Sequence, residues 1–406
     1  MEKKNIRKTL LLQYLICLLC FIFKITEPSS LSPSPDSTFS LSPSSPPPYD
    51  VHPSSSRAIL RPILLGILFG SLTGVFASII FLFTIRLFLL FANRTPILKG
   101  PVTFSPKISP KFLKVIFSGG NNESLQMIGS SPNGKYLKFP LNSEVTVAVK
   151  VLESACSSGS PGPTSNSWKR KVQRELELLA KVSHRNVMSL RAYVRDHDRF
   201  SLVYDYVSNG SLEDAMKRVR LNQLRLGWEM RHRIAVGMVK GLKYLHYEFV
   251  PRILHNNLKP TNVLLDDGFE PKLGDCGLAR LVVAGVDAPI SSCYVAPECF
   301  QSCRYTDKSD IYSFGMILSM LLTGKDPTDP FFMGEVGRWG LVPWLRHLQQ
   351  VGEAREALDS GMLGEGEEEE EMLMAIRIAL VCLSDLPADR PSSDELEAML
   401  TQLHSF

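Results

Sequence analysis

Residues 62–85 restrict the fold of this chain more than any other segment, because the stretch PILLGILFGSLTGVFASIIFLFTI contains no charged residue. A helix of this length spans the roughly 30 Å hydrocarbon core of a bilayer. Lipid offers no hydrogen-bond partners, so an apolar segment in a membrane must satisfy its own backbone groups as a helix. The sequence therefore predicts a transmembrane helix at residues 62–85, with a long buried helix of a soluble core as the alternative.

Small residues recur at every fourth position of this segment, and a helix places residues at that spacing along one face. In a membrane, small side chains let a second helix approach closely, because packing and not hydrophobic burial drives the association. We predict that this face forms a helix–helix interface through Gly66, Gly70, Gly74 and Ser78.

The chain before the span divides into two segments. Residues 1–26 begin with basic side chains and continue as a short apolar run, which is the plan of a secretory signal peptide or of an uncleaved signal anchor. Residues 27–61 are rich in Ser and Pro and too polar to bury a core. This composition predicts a short extracellular stub.

The charges that flank the span predict its orientation. Residues 86–118 form a basic juxtamembrane segment with more Lys and Arg than the stub. This bias favours a single-pass protein whose C-terminal part is cytosolic. Six of the eight cysteines lie after residue 118, as expected for a domain in a reducing compartment. A net charge of +4 gives no indication of nucleic-acid binding.

Several segments after residue 118 follow one another in the order found in protein kinases. SLVYDYVSNGSL at 201–212 resembles the hinge between the two kinase lobes, and DIYSFGMIL at 310–318 resembles a buried helix of the large lobe. LGWEMRHRIAVGMVKGLKYLHYEF at 226–249 has apolar residues at helical spacing and resembles the long central helix of plant receptor-like kinases. The chain thus resembles the receptor-like/Pelle kinase family. The resemblance implies an α+β, two-lobed protein-kinase-like fold at residues 119–404, preceded by the transmembrane helix.

The same resemblance implies a nucleotide site. Lys150 ends the strand-like VTVAVK, where kinases carry the lysine that contacts the α- and β-phosphates. Glu175 lies nine residues before His184, the offset of the helix glutamate that pairs with this lysine, and Glu177 is the competing candidate. Tyr204 is expected at the back of the nucleotide pocket.

The glycine-rich loop departs from the family pattern. Kinases have three glycines here, so that backbone N–H groups can approach phosphates without a side chain in the way. IGSSPNGKYLKF keeps Gly129 and Gly134 but has Ser131 at the middle position, and Tyr136 replaces the usual valine. The segment predicts a hairpin over the pocket, either with poor phosphate contacts or as a working phosphate cradle.

The catalytic loop departs further. In ILHNNLKPTN, Asn257 stands where kinases have the aspartate that accepts the substrate's proton, and Asn256 replaces the preceding arginine. An amide oxygen accepts a hydrogen bond but takes no proton at ordinary pH. A positioned general base accelerates a reaction about 10²- to 10⁴-fold, or about 3–5 kcal/mol of barrier. Asn262 and Asp275 match the metal-binding positions, which predicts binding of ATP and Mg²⁺ without efficient transfer.

Three further residues have structural roles that the resemblance implies. Glu298, in the segment YVAPE, is expected to form a buried ion pair with Arg390, in PADRP. Asp310, at the start of DIYSFGMIL, is expected to support the domain and not the reaction.

These departures are typical of a membrane-bound pseudokinase. The resemblance implies a co-receptor that supplies a cytoplasmic domain to a leucine-rich-repeat receptor-like protein through the membrane helix, or that pairs with a second copy of itself. It also implies a role in CLE-type peptide signalling in meristems, at the plasma membrane, with the endoplasmic reticulum as a second location. A weakly active Ser/Thr protein kinase is the alternative function, and a scaffold with an empty pocket is the third.

Overall fold

The computed structural model describes residues 57–92, 98, 100–118, 126–131, 134–141, 145–152, 166–196, 199–278, 293–302, 304–332, 340–362 and 368–403. The predicted signal segment at residues 1–26 and residues 27–56 of the predicted stub lie outside these residues.

The first described element is a long helix, α1 (Arg57–Ala92). Among the described residues, Leu64–Leu89 is the one helical stretch long and apolar enough to cross a membrane, with a mean hydropathy of 2.2. The helix extends beyond the predicted residues 62–85 at both ends. The reason at its C-terminal end is that the chain is apolar again after Arg86, in LFLLFA, and contains no proline or glycine there to stop the helix.

The small lobe is built on a six-stranded antiparallel sheet. In spatial order, the first, fifth, sixth, fourth, third and second strands lie side by side. Helix α3 (Asn166–Leu179) buries Val172 and Leu176 in a core with Tyr193 and Leu202 of the sheet. The strands are β1 (Val102–Thr103), β2 (Gln126–Ser131), β3 (Gly134–Pro140), β4 (Thr146–Leu152), β5 (Leu190–Asp196) and β6 (Arg199–Asp205).

Part of the predicted juxtamembrane segment, residues 86–118, belongs to this lobe. Strand β1 pairs with β5, and Val102 lies opposite Tyr193. Helix α2 (Pro110–Ser118) buries Leu113. The folded domain therefore begins before residue 119, because apolar side chains between the basic residues complete the lobe. These side chains pack in one cluster, formed by Ile108, Leu113, Phe139, Val147, Val149, Ala192, Val194 and Val203.

The large lobe consists mainly of helices, and a two-stranded hairpin supports the cleft between the lobes. The apolar face predicted for residues 226–249 is buried, since Ile234, Met238 and Leu242 are each 0% exposed. The predicted two-lobed α+β fold is confirmed. The elements are α4 (Leu212–Arg220), α5 (Trp228–Lys243), β7 (Val263–Leu265), β8 (Pro271–Leu273), α6 (Pro297–Ser302), α7 (Asp307–Thr323), α8 (Leu341–Val351), α9 (Glu369–Cys382) and α10 (Ser393–Gln402).

Helix α5 approaches the hairpin closely at Gly241. A Cβ atom at this position would lie 2.9 Å from both the backbone oxygen of Asn186 and Cδ1 of Leu273. Real Cβ atoms essentially never make contacts this short, so a larger residue would push the helix away from β8. The glycine thus fixes the end of β8, from which the chain runs into the cleft at Asp275.

Candidate functional site

The catalytic loop is held from the large lobe by Asp310, in the first turn of α7. Its side chain is almost fully buried. Asp310 Oδ2 accepts a hydrogen bond from the backbone N–H of His255 at 2.8 Å, and Oδ1 accepts one from the N–H of Asn256 at 2.9 Å. His246 Nε2 lies 3.0 Å from Oδ2. The structure therefore places Asp310 as an anchor of the loop's backbone.

Both asparagines of the loop lie where the sequence predicted the catalytic segment. Asn256 has a left-handed backbone conformation with φ of 62°, which asparagine adopts more readily than most residues. The backbone oxygen of Asn257 accepts a hydrogen bond from Asn262 Nδ2 at 2.8 Å. The loop is thus held in a defined conformation, but the side chain at its centre is an amide that cannot act as a general base.

Asp275 and Asn262, the candidate metal-binding residues, lie on adjacent backbone segments. The N–H of Gly274 donates to the carbonyl oxygen of Asn262 at 2.8 Å. Asp275 follows with φ of 59° and turns its side chain toward the small lobe, where it meets Lys150.

Lys150 is 1% exposed and forms an ion pair with Asp275. The predicted partner was Glu175, but no ion pair joins Lys150 to Glu175, although the structure describes both side chains. The physical reason is that a buried ammonium needs a counter-charge within reach, and Asp275 provides it. The competing candidate, Glu177, accepts a hydrogen bond from Gln173 at 2.8 Å instead.

Burial lowers the pKa of Lys150 from its ordinary value of 10.5, and the neighbouring carboxylate of Asp275 acts in the opposite direction. Burial in the cleft thus disfavours the charged form of Lys150, whereas the ion pair with Asp275 favours it. As a consequence, the two residues neutralise each other inside the cleft.

Tyr136 is the third member of this cluster. Its hydroxyl donates a hydrogen bond to Asp275 Oδ2 at 2.8 Å, on the same oxygen that Lys150 contacts. The Lys150 Nζ atom lies 5.0 Å from the centre of the Tyr136 ring. The sequence showed that Tyr136 replaces a valine, but the contact was missed because it joins segments 139 residues apart.

Strands β2 and β3 form the hairpin expected from the glycine-rich segment, with Ser131 opposite Gly134. Gly129 lies opposite Tyr136, and a Cβ atom built on Gly129 would lie 3.8 Å from Cδ2 of the tyrosine. The hairpin therefore carries Tyr136 into the cleft. Residues 132–133 at its tip lie outside the described part of the chain.

Tyr204 lies on β6 opposite Ala148 of β4, toward the back of the same cleft. Burial raises the pKa of the Tyr204 hydroxyl well above its ordinary value of 10.0, and the charge of Asp275 raises it further. The tyrosine is therefore neutral at physiological pH.

As arranged, Asp275, one of the two side chains predicted to hold Mg²⁺, is engaged by other groups of the cleft. Asp275 Oδ2 is occupied by both Lys150 and Tyr136, whereas the hydrogen bond of Asn262 to the loop backbone uses its amide nitrogen and not the oxygen that would bind a metal ion. Within the part of the chain that the structure describes, no group of three or more His, Cys, Asp or Glu side chains could hold a metal ion.

Glu298 and Arg390 form the ion pair that the resemblance implied. Arg390 Nη1 and Nη2 donate to the two carboxylate oxygens at 2.7 and 2.8 Å. Burial alone would raise the pKa of Glu298, but the hydrogen bonds from Arg390 and from the backbone outweigh it, so the pKa lies below its ordinary value. The pair lies outside the cleft and joins α6 to the segment before α10.

The sequence matches the protein kinase domain family over residues 123–339. It is 60% identical over 323 residues to the inactive leucine-rich repeat receptor-like protein kinase CORYNE of Arabidopsis thaliana, and the alignment covers 79% of each protein. The chain belongs to the protein kinase family. Its predicted membership of the receptor-like kinases is confirmed, and CORYNE is a relative that it resembles closely.

Two other kinase-family proteins are more distant. The leucine-rich repeat receptor-like serine/threonine/tyrosine-protein kinase SOBIR1 of Arabidopsis thaliana is 35% identical over 318 residues, which cover 75% of this chain and 49% of that protein. The solved structure of the pseudokinase domain of BIR2, an immune regulator of the RLK/Pelle family, superimposes with a TM-score of 0.60 at 29% identity. The match covers 77% of this chain and 92% of the BIR2 chain.

Proposed function

We propose that this protein is a catalytically impaired receptor-like pseudokinase that signals by assembly and not by phosphate transfer. The observation that carries the proposal is Asn257, an amide in the place of the general base, within a loop that Asp310 holds in position. The inactive status of CORYNE and the pseudokinase status of BIR2 support it.

The size of the expected defect follows from the chemistry. Protein kinases turn over at about 1–100 s⁻¹, and a positioned base contributes about 10²- to 10⁴-fold. Without that base, transfer falls to a rate too low to compete with kinases of ordinary activity. Asn256 replaces the arginine of this loop, so the cation that would otherwise bind a phosphate in the activation segment is also missing.

A weakly active Ser/Thr kinase is the second candidate function, because Lys150, Asn262 and Asp275 are all retained at the cleft. Positioning and metal ions supply much of the catalysis of phosphate transfer, so a kinase without its base can retain some activity. Binding of ATP and Mg²⁺ remains a prediction in both cases, as does the scaffold with an empty pocket.

A phosphate-transfer assay with the detergent-solubilised full chain separates the two functions. We expect background transfer from the wild type and at least tenfold more from Asn257→Asp, because the carboxylate restores a proton acceptor. Transfer by the wild type that Lys150→Ala abolishes would instead identify a working kinase.

The biological role that we propose is that of a co-receptor. The chain would supply its cytosolic kinase-like domain to a leucine-rich-repeat receptor-like protein through α1, and would relay CLE-type peptide signals in meristem maintenance. The similarity to CORYNE, a leucine-rich repeat receptor-like kinase by name, and the apolar helix α1 support this role. We place the protein at the plasma membrane with one span, with the endoplasmic reticulum as a second location and a second copy of the chain as an alternative partner.

A further inference from the structure

We infer that Tyr136 determines whether the cleft accepts Mg²⁺-bound ATP, because its hydroxyl occupies the carboxylate oxygen that a metal ion would need. The inference rests on the proposed function, in which the cleft does not transfer phosphate efficiently and binding of ATP and Mg²⁺ is a separate prediction. It assigns the control of that binding to one side chain of the glycine-rich hairpin.

The position of Tyr136 follows from strand register. Tyr136 on β3 lies directly opposite Lys150 on β4, and directly opposite Gly129 on β2. Side chains directly opposite each other in an antiparallel pair lie about 5 Å apart and point to the same face. The tyrosine therefore runs alongside the lysine toward the cleft, and the glycine on its other side leaves room for the ring.

The length of the side chain then decides the contact. The Tyr136 hydroxyl reaches Asp275 Oδ2 at 2.8 Å, whereas the valine usual in kinases is too short to reach it and has no group to donate. One oxygen of Asp275 thus accepts hydrogen bonds from both the Lys150 ammonium and the Tyr136 hydroxyl. A metal ion must displace both before it can bind there.

The cluster also engages the positive charge of Lys150, which a nucleotide phosphate would need. Lys150 is at the position of the lysine that contacts phosphates in kinases, but here it is buried and paired with Asp275. The centre of the Tyr136 ring lies 5.0 Å from its ammonium nitrogen. These three groups satisfy one another, so in this arrangement neither Lys150 nor Asp275 offers an unpaired charge to a nucleotide. Binding of a metal ion at Asp275 Oδ2 therefore requires that the Tyr136 hydroxyl moves away from that oxygen.

The expected size of the effect follows from the type of bond. The free energy of a hydrogen bond to a charged group corresponds to a change of about tenfold to a hundredfold in a binding constant. Tyr136→Phe removes this bond and keeps the ring, whereas Tyr136→Val removes both and restores the residue usual in kinases.

The test is a fluorescence titration of the solubilised full chain with trinitrophenyl-ATP, once with Mg²⁺ and once with EDTA. We expect Tyr136→Phe to bind about tenfold to a hundredfold more tightly than the wild type with Mg²⁺, and Tyr136→Val at least as tightly as Tyr136→Phe. With EDTA the gain of Tyr136→Phe should be much smaller, because the hydroxyl competes with the metal.

Two controls keep the result specific. Tyr247→Phe removes a hydroxyl from an exposed tyrosine of the large lobe and should leave binding unchanged. The second control is a double-mutant cycle. In a chain that carries Asp275→Asn, the substitution Tyr136→Phe should have little further effect on binding, because the hydroxyl acts through a carboxylate that is then absent.

Equal affinity of the wild type and Tyr136→Phe for the nucleotide with Mg²⁺ would overturn the inference. The absence of binding in every variant would also overturn it, since another feature would then close the cleft. Neither result affects the proposed loss of catalysis. Conversely, tighter binding of Tyr136→Phe together with rapid phosphate transfer would support the role of Tyr136 and contradict the proposed function.

Discussion

Asp275 shows how one residue acquires a different role from its surroundings. Its position predicted a metal-binding carboxylate, but in the structure it serves as the counter-charge of Lys150 and the acceptor of Tyr136. Lys150 and Asp275 are 125 residues apart in sequence. No local pattern encodes which of several carboxylates a buried lysine will meet, so the motifs identified the residues but not their partners.

The ion pair of Glu298 and Arg390 allows a prediction at this scale. Glu298→Gln leaves the buried guanidinium without a counter-charge, and we expect it to lower the free energy of unfolding by about 3 kcal/mol. Urea unfolding of the solubilised chain, followed by tryptophan fluorescence, measures the change. The exposed pair of Arg346 and Asp385 is the matched control, and Asp385→Asn should cost at most about 1 kcal/mol.

The cost of Glu298→Gln should also depend on pH. The pKa of Glu298 is lower in the folded protein than its ordinary value of 4.5, so the pair stabilises the protein above that value. The difference between wild type and variant should shrink as the pH falls below about 4.5 and Glu298 takes up a proton. A difference that stays constant down to pH 3 would show that the charge of Glu298 is not what stabilises the fold.

Strand β1 and helix α2 are two elements that the sequence patterns did not predict. Strand β1 has only two residues, too few for an alternating pattern, and the segment around it was noticeable for its lysines. The apolar residues Ile108 and Leu113 are buried only in the folded lobe, where they pack against the sheet, so the sequence around them does not show that they belong to a core. A charge count predicted the orientation of the chain but not the packing of this segment.

We predict that α2 stabilises the small lobe. Leu113→Ala removes a buried side chain and should lower the free energy of unfolding by about 2–5 kcal/mol, because it leaves a cavity against the sheet. Lys111→Ala, at an exposed position of the same helix, should change it by no more than about 0.5 kcal/mol. Equal unfolding curves for Leu113→Ala and wild type would show that α2 contributes nothing to the lobe.

Helix α1 carries the prediction about assembly. A Cβ atom built on Gly66, Gly70 or Gly74 meets no other atom within 4 Å, so this face has space for a second helix. Gly70→Leu should reduce co-precipitation of the receptor partner at unchanged expression, because the larger side chain separates the helices. Leu72→Phe adds bulk on the opposite face and should have little effect. If Gly70→Leu co-precipitates as much partner as the wild type, the predicted interface is wrong.

At the scale of the whole molecule, the order of the motifs was sufficient to predict the two lobes. The hinge at residues 201–212, the central helix and the buried helix at residues 310–318 each have a periodicity or composition that local sequence shows. The state of the cleft was not predictable in this way. It depends on the reach of Tyr136 from the small lobe to Asp275, which is a property of the assembled fold.

Signalling without phosphate transfer is tested most directly by removing the charged pair of the cleft from the full chain. Lys150→Met together with Asp275→Asn deletes both partners, so no unpaired buried charge remains to unfold the protein. In cells that lack the native protein, we expect this double variant to restore the response to the peptide at the wild-type level. Loss of the response, with the variant folded and expressed like the wild type, would contradict signalling by assembly.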